Sequence, residues 1–538
     1  MSMKRVGMTL VTLVIVTGFV FASGASQAGV STAEVTVRAT IYDRGTISQE
    51  VGTMSDNPFV DLVNESLPFN VQYVVYPRWE QEELLNAAFA AGDGPDYILS
   101  YGANYNKGKY AEGLTLALDD YLADYAPTVS EFIAQYPLAR ATVTMPDGKM
   151  HFFPIGQRIG PNWTLFVRTD WLDNLGLSIP STAEELFEVA YAFTYSDPNG
   201  TGANDTLGIN LSWIGSLMVD IMFGRSEMDF YIEGDEYVLN WDRLEASTAF
   251  KKQLYDAGLV DRDFLTDNNG NKAKQDFLTG RLGLYFANNG VRDGNLHLAF
   301  LENFPDGSFV PIAFPSTEFG SFNPIHDAPY DGRSFINAQT RVPEATVQYA
   351  DFMQQIDTYM YLTYGTEGQT FEFDNLGIPR FTIDGDERRQ LFGWTVDLRN
   401  HFPMILLPQV WVSPETAYLN RGPQWDMVYE SYVRGIALYL DPDKEYAWTP
   451  IDSNSMPVIP AALELVMASR QDVYDIWTRA IVSGNSLTAP QAREQAEALW
   501  RAIGGAQLEE FYGEWFAENR NNVVYASQWY DSPTRMDP

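Results

Sequence analysis

The chain has 538 residues, of which 45% are hydrophobic and 14% aromatic, which suits two or three folded domains and excludes a disordered polymer. Its 71 acidic and 35 basic residues give a formal net charge of −36, and such a field argues against nucleic acid or an anionic membrane as a partner. The sequence contains no cysteine, which excludes disulfides, thiolate metal sites and lipid attachment through a lipobox cysteine.

The N-terminus has the pattern of a secretory signal peptide. The basic pair Lys4 and Arg5 precedes an apolar run at 6–21, and small residues continue to Ala28. This order predicts a signal peptide over 1–28 that is removed on export. No later segment has the roughly 20 apolar residues of a membrane helix. We therefore expect a periplasmic or secreted protein.

Strand and helix patterns alternate through the first hundred residues. Residues 35–42 alternate apolar and polar side chains as a half-buried strand does, and Leu84, Leu85, Ala88 and Phe89 recur at helical spacing. The predicted order is strand 35–42, helix 57–65, strand 70–75, helix 79–91 and strand 97–101. A β-α-β-α-β order predicts a mainly parallel sheet with helices on its faces.

Turn and capping signals organise the middle of the chain. Strands are predicted around Val143 and Phe152, on either side of the Pro-Asp-Gly-Lys turn at 146–149, and again at 165–167. Ser181 and Glu184 have the spacing of a capping box for a helix that runs to a polar loop. Further helices are predicted at 243–257, 343–364, 460–482, 490–503 and 506–519.

The polar loop at 197–208 has the spacing of a calcium loop. EF-hand loops bind Ca²⁺ through oxygens at positions one, three, five, seven and nine, with an unhindered glycine at position six. Gly202 occupies position six here. The candidate oxygen donors are Asp197, Asn199, Thr201, the backbone carbonyl of Ala203, and Asp205.

The twelfth position of this loop departs from the calcium pattern. An EF-hand has a bidentate glutamate there, whereas this chain has Gly208. Thr206 is the candidate to complete a truncated set of ligands. The alternative is a polar turn without metal, because Asp, Asn, Gly and Pro are ordinary turn residues. Spacing alone leaves both interpretations open.

Seven short segments, in one order, carry a resemblance to a known family. They are Ala-Ala-Gly-Asp-Gly-Pro-Asp at 90–96, Pro-Asp-Gly-Lys at 146–149, Arg-Thr-Asp-Trp-Leu-Asp-Asn-Leu-Gly-Leu at 168–177, the loop at 197–205, Tyr-Asp-Ala-Gly-Leu-Val-Asp at 255–261, Phe-Leu-Thr-Gly-Arg-Leu-Gly at 277–283, and Tyr-Gly-Thr-Glu-Gly at 364–368. Together they resemble the extracellular solute-binding proteins of ABC transporters, family 1, in the large branch that includes alginate-oligosaccharide-binding receptors.

The resemblance implies a periplasmic-binding-protein-like fold, with two α/β lobes, a hinge that the chain crosses several times, and a ligand cleft between the lobes. Its division of the chain gives lobe 1 at 29–156 and 336–400, and lobe 2 at 157–335 and 401–538. It also implies an oligosaccharide ligand, two membrane permease subunits with a cytoplasmic ATPase as partners, a monomer, and structural calcium in the loop at 197–206.

Candidate ligand contacts follow from the chemistry of sugars. A sugar presents C–H faces and hydroxyls, which aromatic rings and planar polar side chains recognise. Clefts of open α/β sheets form at strand ends and loops. The candidates there are Trp79, Tyr101, Asn104, Gln157, Trp163, Trp213, Tyr330, Arg333, Trp394, Trp411, Arg421 and Trp425. Each has a packing role in the core or lobe interface as its alternative, but we expect at least two to touch ligand.

The residues alone leave two other classes of function open. A secreted glycoside hydrolase or polysaccharide lyase needs a positioned carboxylate pair, which an acidic chain offers without visible arrangement. The histidines, His151, His297, His326 and His401, are scattered, and neither an HExxH nor a GxSxG motif occurs. We therefore expect no catalytic residue. A sugar sensor that is not coupled to transport would have the same fold.

Overall fold

The computed structural model describes residues 35–157, 163–224, 230–288, 290–324, 329–412, 418, 423–440, 445–446, 451–452, 455–525 and 527–530. The predicted signal peptide, the candidate ligand contact Arg421 and His326 lie outside these residues. None of the helices in the described ranges combines the length and the apolar character needed to span a membrane.

The strands of the described chain are β1 (Thr36–Asp43), β2 (Asn70–Pro77), β3 (Tyr97–Leu99), β4 (Phe153–Gly156), β5 (Trp163–Arg168), β6 (Leu207–Ile209), β7 (Phe230–Glu233), β8 (Glu236–Leu239), β9 (Leu282–Asn288), β10 (Phe309–Ile312), β11 (Phe322–Asn323), β12 (Tyr330–Ile336), β13 (Phe371–Phe373), β14 (Pro379–Phe381) and β15 (Glu445–Tyr446).

The helices are α1 (Pro58–Ser66), α2 (Gln81–Ala90), α3 (Ala103–Ala111), α4 (Asp119–Tyr125), α5 (Pro127–Gln135), α6 (Pro137–Thr142), α7 (Thr169–Leu175), α8 (Ala183–Tyr195), α9 (Ile214–Met222), α10 (Trp241–Asp256), α11 (Asn271–Leu278), α12 (Gly294–Asn303), α13 (Pro343–Met353), α14 (Ile356–Tyr364), α15 (Gly385–Phe392), α16 (Val396–Arg399), α17 (Gln409–Val412), α18 (Asp426–Tyr439), α19 (Ala461–Val482), α20 (Ala489–Ala502), α21 (Gly505–Asn519) and α22 (Ser527–Tyr530).

The first sheet has the strand order β2-β1-β3-β12-β4. β1 runs parallel to β2 and β3, as the alternating strand and helix patterns predict, whereas β12 pairs antiparallel with β3 and β4. Val37, Ala39 and Ile41 of β1 are fully buried and join the core of this lobe. The sheet therefore rests on the apolar residues that the sequence pattern identified.

The second sheet has the order β10-β5-β9-β6. β6 runs parallel to β9, while β5 pairs antiparallel with both β9 and β10. Its core holds Leu165, Trp171, Phe193 and Leu284. Two α/β lobes are thus present, and the predicted fold class is confirmed.

The C-terminal helices α19, α20 and α21 pack around the hairpin β7–β8. Trp477 and Trp500 are buried in this cluster, and Tyr237 of β8 meets Tyr512 of α21 at a ring-centroid distance of 6.0 Å. The helix bounds predicted at 460–482, 490–503 and 506–519 agree with these helices to within one residue.

Three local predictions are wrong. The predicted helix 343–364 is two helices, α13 and α14, because Gln355 adopts an extended backbone between them, and neither Gly nor Pro marks this break. No strand forms near Val143, where α6 ends and only an isolated bridge joins Thr144 to Met150. Thr182, not Ser181, caps α8 by accepting a hydrogen bond from the Glu185 amide.

The structure differs from the predicted lobe boundaries at two crossings. Tyr330–Ile336 forms β12 of the first sheet, although the division by sequence kept residues up to 335 in lobe 2. Ile405, beyond the predicted limit at 400, packs in the core of the first lobe. No composition change marks these crossings, so the sequence gives no signal for them. The other boundaries stay predictions.

Candidate functional site

A cluster of aromatic, cationic and acidic side chains lies where β1, β2 and β3 end, and we call it the first-sheet edge. Tyr42 is near the end of β1, Arg78 and Trp79 follow β2, and Tyr101 follows β3. The Ser100 amide donates to the Arg333 carbonyl at 2.7 Å, which places Arg333 beside Tyr101. The carboxyl ends of parallel strands are where open α/β folds bind ligands.

Asp397 of α16 organises this edge. Its carboxylate accepts two hydrogen bonds from the Arg44 guanidinium, at 2.7 and 2.9 Å, and one from the Tyr101 hydroxyl at 2.8 Å. The Asn400 amide donates to the Tyr101 hydroxyl at 3.0 Å. Donating to the Asp397 carboxylate raises the pKa of the Arg44 guanidinium, and burial raises the pKa of the Tyr101 hydroxyl. The network fixes both side chains.

Arg78 is surrounded by rings. Its guanidinium carbon lies 4.8 Å from the ring centroids of both Tyr42 and Tyr101, and 5.0 Å from that of Trp79. Trp79 is 85% exposed and is also 5.9 Å from the Arg44 guanidinium. A tryptophan so exposed, with two cations beside its ring, offers an apolar face with polar groups at its side.

The second-sheet edge is a cavity of about 560 Å³ at the carboxyl ends of β6 and β9. Its wall is rich in amides, and a salt bridge at 2.7 Å joins Lys274 to Asp293 within it. The Asn210 side-chain amide is held in place, because it donates to the Phe286 carbonyl and accepts from the Phe286 backbone N–H. The remaining lining asparagines are Asn269, Asn271 and Asn288.

Trp213 covers this cavity with an unusual backbone. It is 46% exposed, and its φ of 48° and ψ of −119° place a bulky residue at positive φ. Gly270 permits the contact, because a Cβ there would lie 3.0 Å from the indole and its own φ is +70°. Such strain costs about 1–3 kcal/mol and clusters at functional sites.

Several predicted ligand contacts lie at the two edges. Trp79, Tyr101 and Arg333 lie at the first-sheet edge, with the exposed Asn104 on the first turn of α3 beside it. Trp213 lies at the second-sheet edge, and Trp425 packs on Gly294, next to the cavity-lining Asp293. The structure therefore brings several candidates to strand ends.

Two candidates are buried in the core, Gln157 and Trp163 lie at strand ends of the two edges, and Trp411 lies elsewhere. Tyr330 and Trp394 are 1% and 5% exposed in the core of the first lobe, so they are packing residues. Trp411 donates its indole N–H to the Gly377 carbonyl near the hairpin β13–β14. The backbone N–H of Gln157, just after β4, donates to the Pro329 carbonyl. Trp163 begins β5 and pairs with Asn288 of β9.

Sequence reasoning missed Arg44, Arg78, Asp397 and Asn400. A signal existed for Arg78, since it stands between a predicted strand and the chosen Trp79. Asp397 and Asn400 reach the edge from more than 290 positions away along the chain, and nothing in the sequence reports that proximity.

Two larger cavities lie away from both edges. One of about 810 Å³ is bordered by Leu62, Tyr125 and Met360, and one of about 860 Å³ by Lys107, Arg140 and Trp515. Cavity size would favour them, but the edges combine the exposed rings of Trp79 and Trp213 with cations and amides at the carboxyl ends of strands. The edges are therefore the candidate site on chemical grounds, since ligand sites combine apolar faces with a few convergent polar groups.

The loop at 197–208 draws its oxygen-bearing side chains together around Asp205. The Thr201 hydroxyl lies 3.3 and 3.4 Å from the two Asp205 carboxylate oxygens, and the Asn199 amide lies 3.1 Å from one of them. Asp197 accepts from the Gly202 amide at 3.0 Å. This set of hard oxygen donors fits a calcium ion. No group of three His, Cys, Asp or Glu able to hold a metal occurs among the described residues.

Thr206 does not belong to that set. Its buried hydroxyl donates to the Phe193 carbonyl of α8 at 2.7 Å. Gly208, the twelfth position, lies in β6, where a Cβ would come within 2.3 Å of the Ala190 carbonyl oxygen. Because β6 packs directly on α8, this position has no room for a glutamate. The loop could therefore offer a cation at most two carboxylates, those of Asp197 and Asp205.

His151 links a hydroxyl to a carboxylate. Its Nδ1 is 2.8 Å from the Thr115 hydroxyl and its Nε2 is 2.9 Å from Asp147. Thr115 is 6% exposed, and the Tyr110 ring meets the imidazole edge-on at 4.8 Å. The buried hydroxyl is shielded from substrate, so the arrangement ties the turn at 146–149 to the first lobe.

The chain resembles sugar-receptor proteins in sequence and fold. The family model described as bacterial extracellular solute-binding protein matches residues 69–357. The polygalacturonan/rhamnogalacturonan-binding protein YtcQ of Bacillus subtilis (strain 168) is 25% identical over 462 residues, covering 82% of this chain and 84% of the relative.

Solved structures show the same fold at low sequence identity. An HMO-binding, ABC-transporter-associated solute-binding protein from Bifidobacterium longum infantis has a TM-score of 0.67 and 18% identity, covering 94% of this chain and 100% of its own. The Streptococcus pneumoniae ABC-transporter substrate-binding protein FusA, in complex with kestose, has a TM-score of 0.64 and 16% identity, covering 91% and 100%.

Proposed function

Because this chain belongs to the bacterial extracellular solute-binding protein family, we propose that it is the receptor of a carbohydrate ABC importer and captures an oligosaccharide between its two lobes. The observation that carries the proposal is the pairing of strand-end surfaces, each with an exposed tryptophan beside fixed polar groups. Trp79 supplies the ring at the first-sheet edge and Trp213 at the second. The carbohydrate ligands named for YtcQ and FusA support the same class.

Hinge closure follows from this division of contacts. A saccharide that touches one edge in the open state gains contacts with the other only when the lobes close, so its binding energy shifts the population toward the closed state. The closed receptor would then deliver the sugar to two membrane permease subunits powered by a cytoplasmic ATPase. The same closure would serve a sensor if the partner were a signalling protein.

We expect oligosaccharides to stabilise the protein without being cleaved. The mature protein is incubated with plant and algal oligosaccharides, its melting temperature is measured, and the sugars are analysed by chromatography. A sugar that binds only the folded state raises the melting temperature. Turnover of any sugar would instead establish a glycoside hydrolase or polysaccharide lyase.

Replacing either exposed tryptophan should weaken binding of the stabilising sugar. For Trp79→Ala and for Trp213→Ala we expect a roughly tenfold loss of affinity, since an aromatic contact contributes about 0.5–1.5 kcal/mol beyond the area it buries. Calorimetric titration measures the effect. Tyr191→Ala is the control, because Tyr191 is 50% exposed on α8, outside both edges. Equal losses in all three variants would contradict the proposal.

We propose that the loop at 197–205 is a structural calcium site in the second lobe. It lies between α8 and β6, so a cation there would brace the lobe without touching the cleft. Its support is the convergence of Asp197, Asn199, Thr201 and Asp205, together with the Ala203 carbonyl expected from the spacing.

A chelator should lower the melting temperature by a few degrees and leave sugar affinity nearly unchanged at low temperature. Asp205→Asn should remove the response to chelator, because it deletes a carboxylate that the loop side chains converge on. Asp306→Asn, in an exposed turn, is the matched control and should retain the response. An unchanged melting temperature in chelator would leave the loop as a turn only.

A further inference from the structure

Arg78 differs from the other arginines of the first-sheet edge in having no carboxylate partner among the described residues. Arg44 is bound by Asp397 through two hydrogen bonds, and Arg333 by Asp331 at 3.1 Å. These two cations are already neutralised. Arg78 is therefore the cation at this edge that is available to a ligand.

The surroundings of Arg78 restrict its orientation and leave its charge in place. Tyr42, Trp79 and Tyr101 approach within 4.8–5.0 Å of the guanidinium carbon. The Arg78 Nε is buried and has no hydrogen-bond partner within the described part of the chain. Rings attract a cation without neutralising it, so the planar fork of Arg78 is pre-organised to bind an anion.

The second-sheet edge is different in charge. Its cationic side chain, Lys274, is paired with Asp293 at 2.7 Å, and the amides beside it are uncharged. These groups suit hydroxyls, whereas a guanidinium fork matches the two oxygens of a carboxylate. The two edges therefore favour different parts of one ligand.

We propose that Arg78 pairs with the carboxylate of an acidic sugar unit, while uncharged parts of the same saccharide lie toward Trp213 and the asparagines of the second-sheet edge. This inference rests on the proposed function, since it names the substrate class of the same cleft. It makes Arg78 the residue that selects acidic over neutral saccharides.

The test compares uronate trisaccharides of several linkages with their methyl esters and with neutral trisaccharides. Esterification keeps the ring and removes the charge. The unmodified protein should bind at least one uronate trisaccharide tenfold or more tightly than its ester, a factor typical of a hydrogen bond to a charged group. Arg78→Gln should abolish that preference, and Arg78→Lys should retain part of it, because lysine keeps the charge but loses the fork.

Two further variants separate charge recognition from general damage. Trp213→Ala should weaken binding of acid and ester by the same factor. Arg262→Gln should change neither, although it also removes an arginine from a tyrosine ring, 4.6 Å away at Tyr255. If Arg78→Gln fails to fold, the affinities of the unmodified protein and of Arg78→Lys for acid and ester test the role of Arg78 instead.

The outcomes distinguish this inference from the proposed function. Equal affinity for acid and ester, or an acid preference that survives in Arg78→Gln, would overturn the role of Arg78. Binding of neutral trisaccharides alone would overturn the acidic substrate class and leave the oligosaccharide receptor standing. Failure of every saccharide to bind would remove the receptor function and this inference with it.

Discussion

Lys251→Met should destabilise the protein by about 3–5 kcal/mol, the usual cost of removing one partner from a buried ion pair. Lys251 and Asp220 are 2% and 0% exposed, and both Asp220 carboxylate oxygens lie 3.0 Å from the Lys251 amine. The Ser247 hydroxyl donates to Asp220 at 2.6 Å, and that of Tyr474 at 3.3 Å. Without Lys251, these hydroxyls are left to compensate a buried negative charge. Denaturant unfolding measures the loss.

The ion pair and Tyr474 connect three helices, so breaking the pair should destabilise the second lobe as a whole. Asp220 is on α9, Lys251 on α10 and Tyr474 on α19. Replacing both ions, in Lys251→Met with Asp220→Leu, should recover much of the stability, because no uncompensated charge remains. Arg389→Met removes an exposed ion pair with Asp386 and should cost less than about 1 kcal/mol. Equal losses of unfolding free energy in Lys251→Met and Arg389→Met would show that the buried pair contributes no more to stability than an exposed one.

The same packing shows why the sequence predicted the lobes but only part of the site. Periodicity located β1, β2 and the C-terminal helices because each buries a regular apolar face, and the ordered segments led to the correct family. Pairing between distant segments leaves no such pattern. The buried pair Asp220–Lys251 joins positions 31 apart, and Arg44 meets Asp397 across 353 positions. Neither pair has a local signature.

Aromatic residues show the same limit at the site itself. Trp79, Trp213 and Trp394 are candidates on the same ground, since each is a tryptophan that could stack on a sugar ring. Their exposures are 85%, 46% and 5%, so Trp394 is a core residue. Burial depends on which lobe covers the ring, and tertiary contacts decide that. The strained backbone of Trp213 likewise follows from its fit against Gly270.

Acidification from pH 7 to pH 5 should destabilise the protein through two buried histidines. Burial lowers the pKa of His297 and of His401 to about 4, from 6.5. Each Nδ1 donates to a backbone carbonyl at 3.1 Å, of Asp293 and of Leu398 respectively, and each Nε2 is buried with no hydrogen-bond partner among the residues that the structure describes. Protonating Nε2 would bury a charge that lacks a hydrogen-bond acceptor, which explains the low pKa values.

The sign follows from proton uptake by the unfolded chain. Below about pH 6.5 the unfolded histidines bind protons while the folded ones remain neutral until about pH 4, so their stabilising contribution is complete above pH 6.5 and is lost as the pH falls toward 4. One pKa unit corresponds to about 1.4 kcal/mol, so each histidine should cost about 2 kcal/mol at pH 5.

The double variant His297→Gln with His401→Gln isolates this contribution, because glutamine keeps an amide donor for each carbonyl and does not titrate. Unfolding free energies at pH 7, 6 and 5 should fall steeply in the unmodified protein and by about 4 kcal/mol less in the double variant. His151→Gln should keep the steep fall, since it leaves both buried histidines in place. Parallel pH profiles for the unmodified protein and the double variant would show that these histidines do not set its acid sensitivity, and the cause would then lie among its carboxylates.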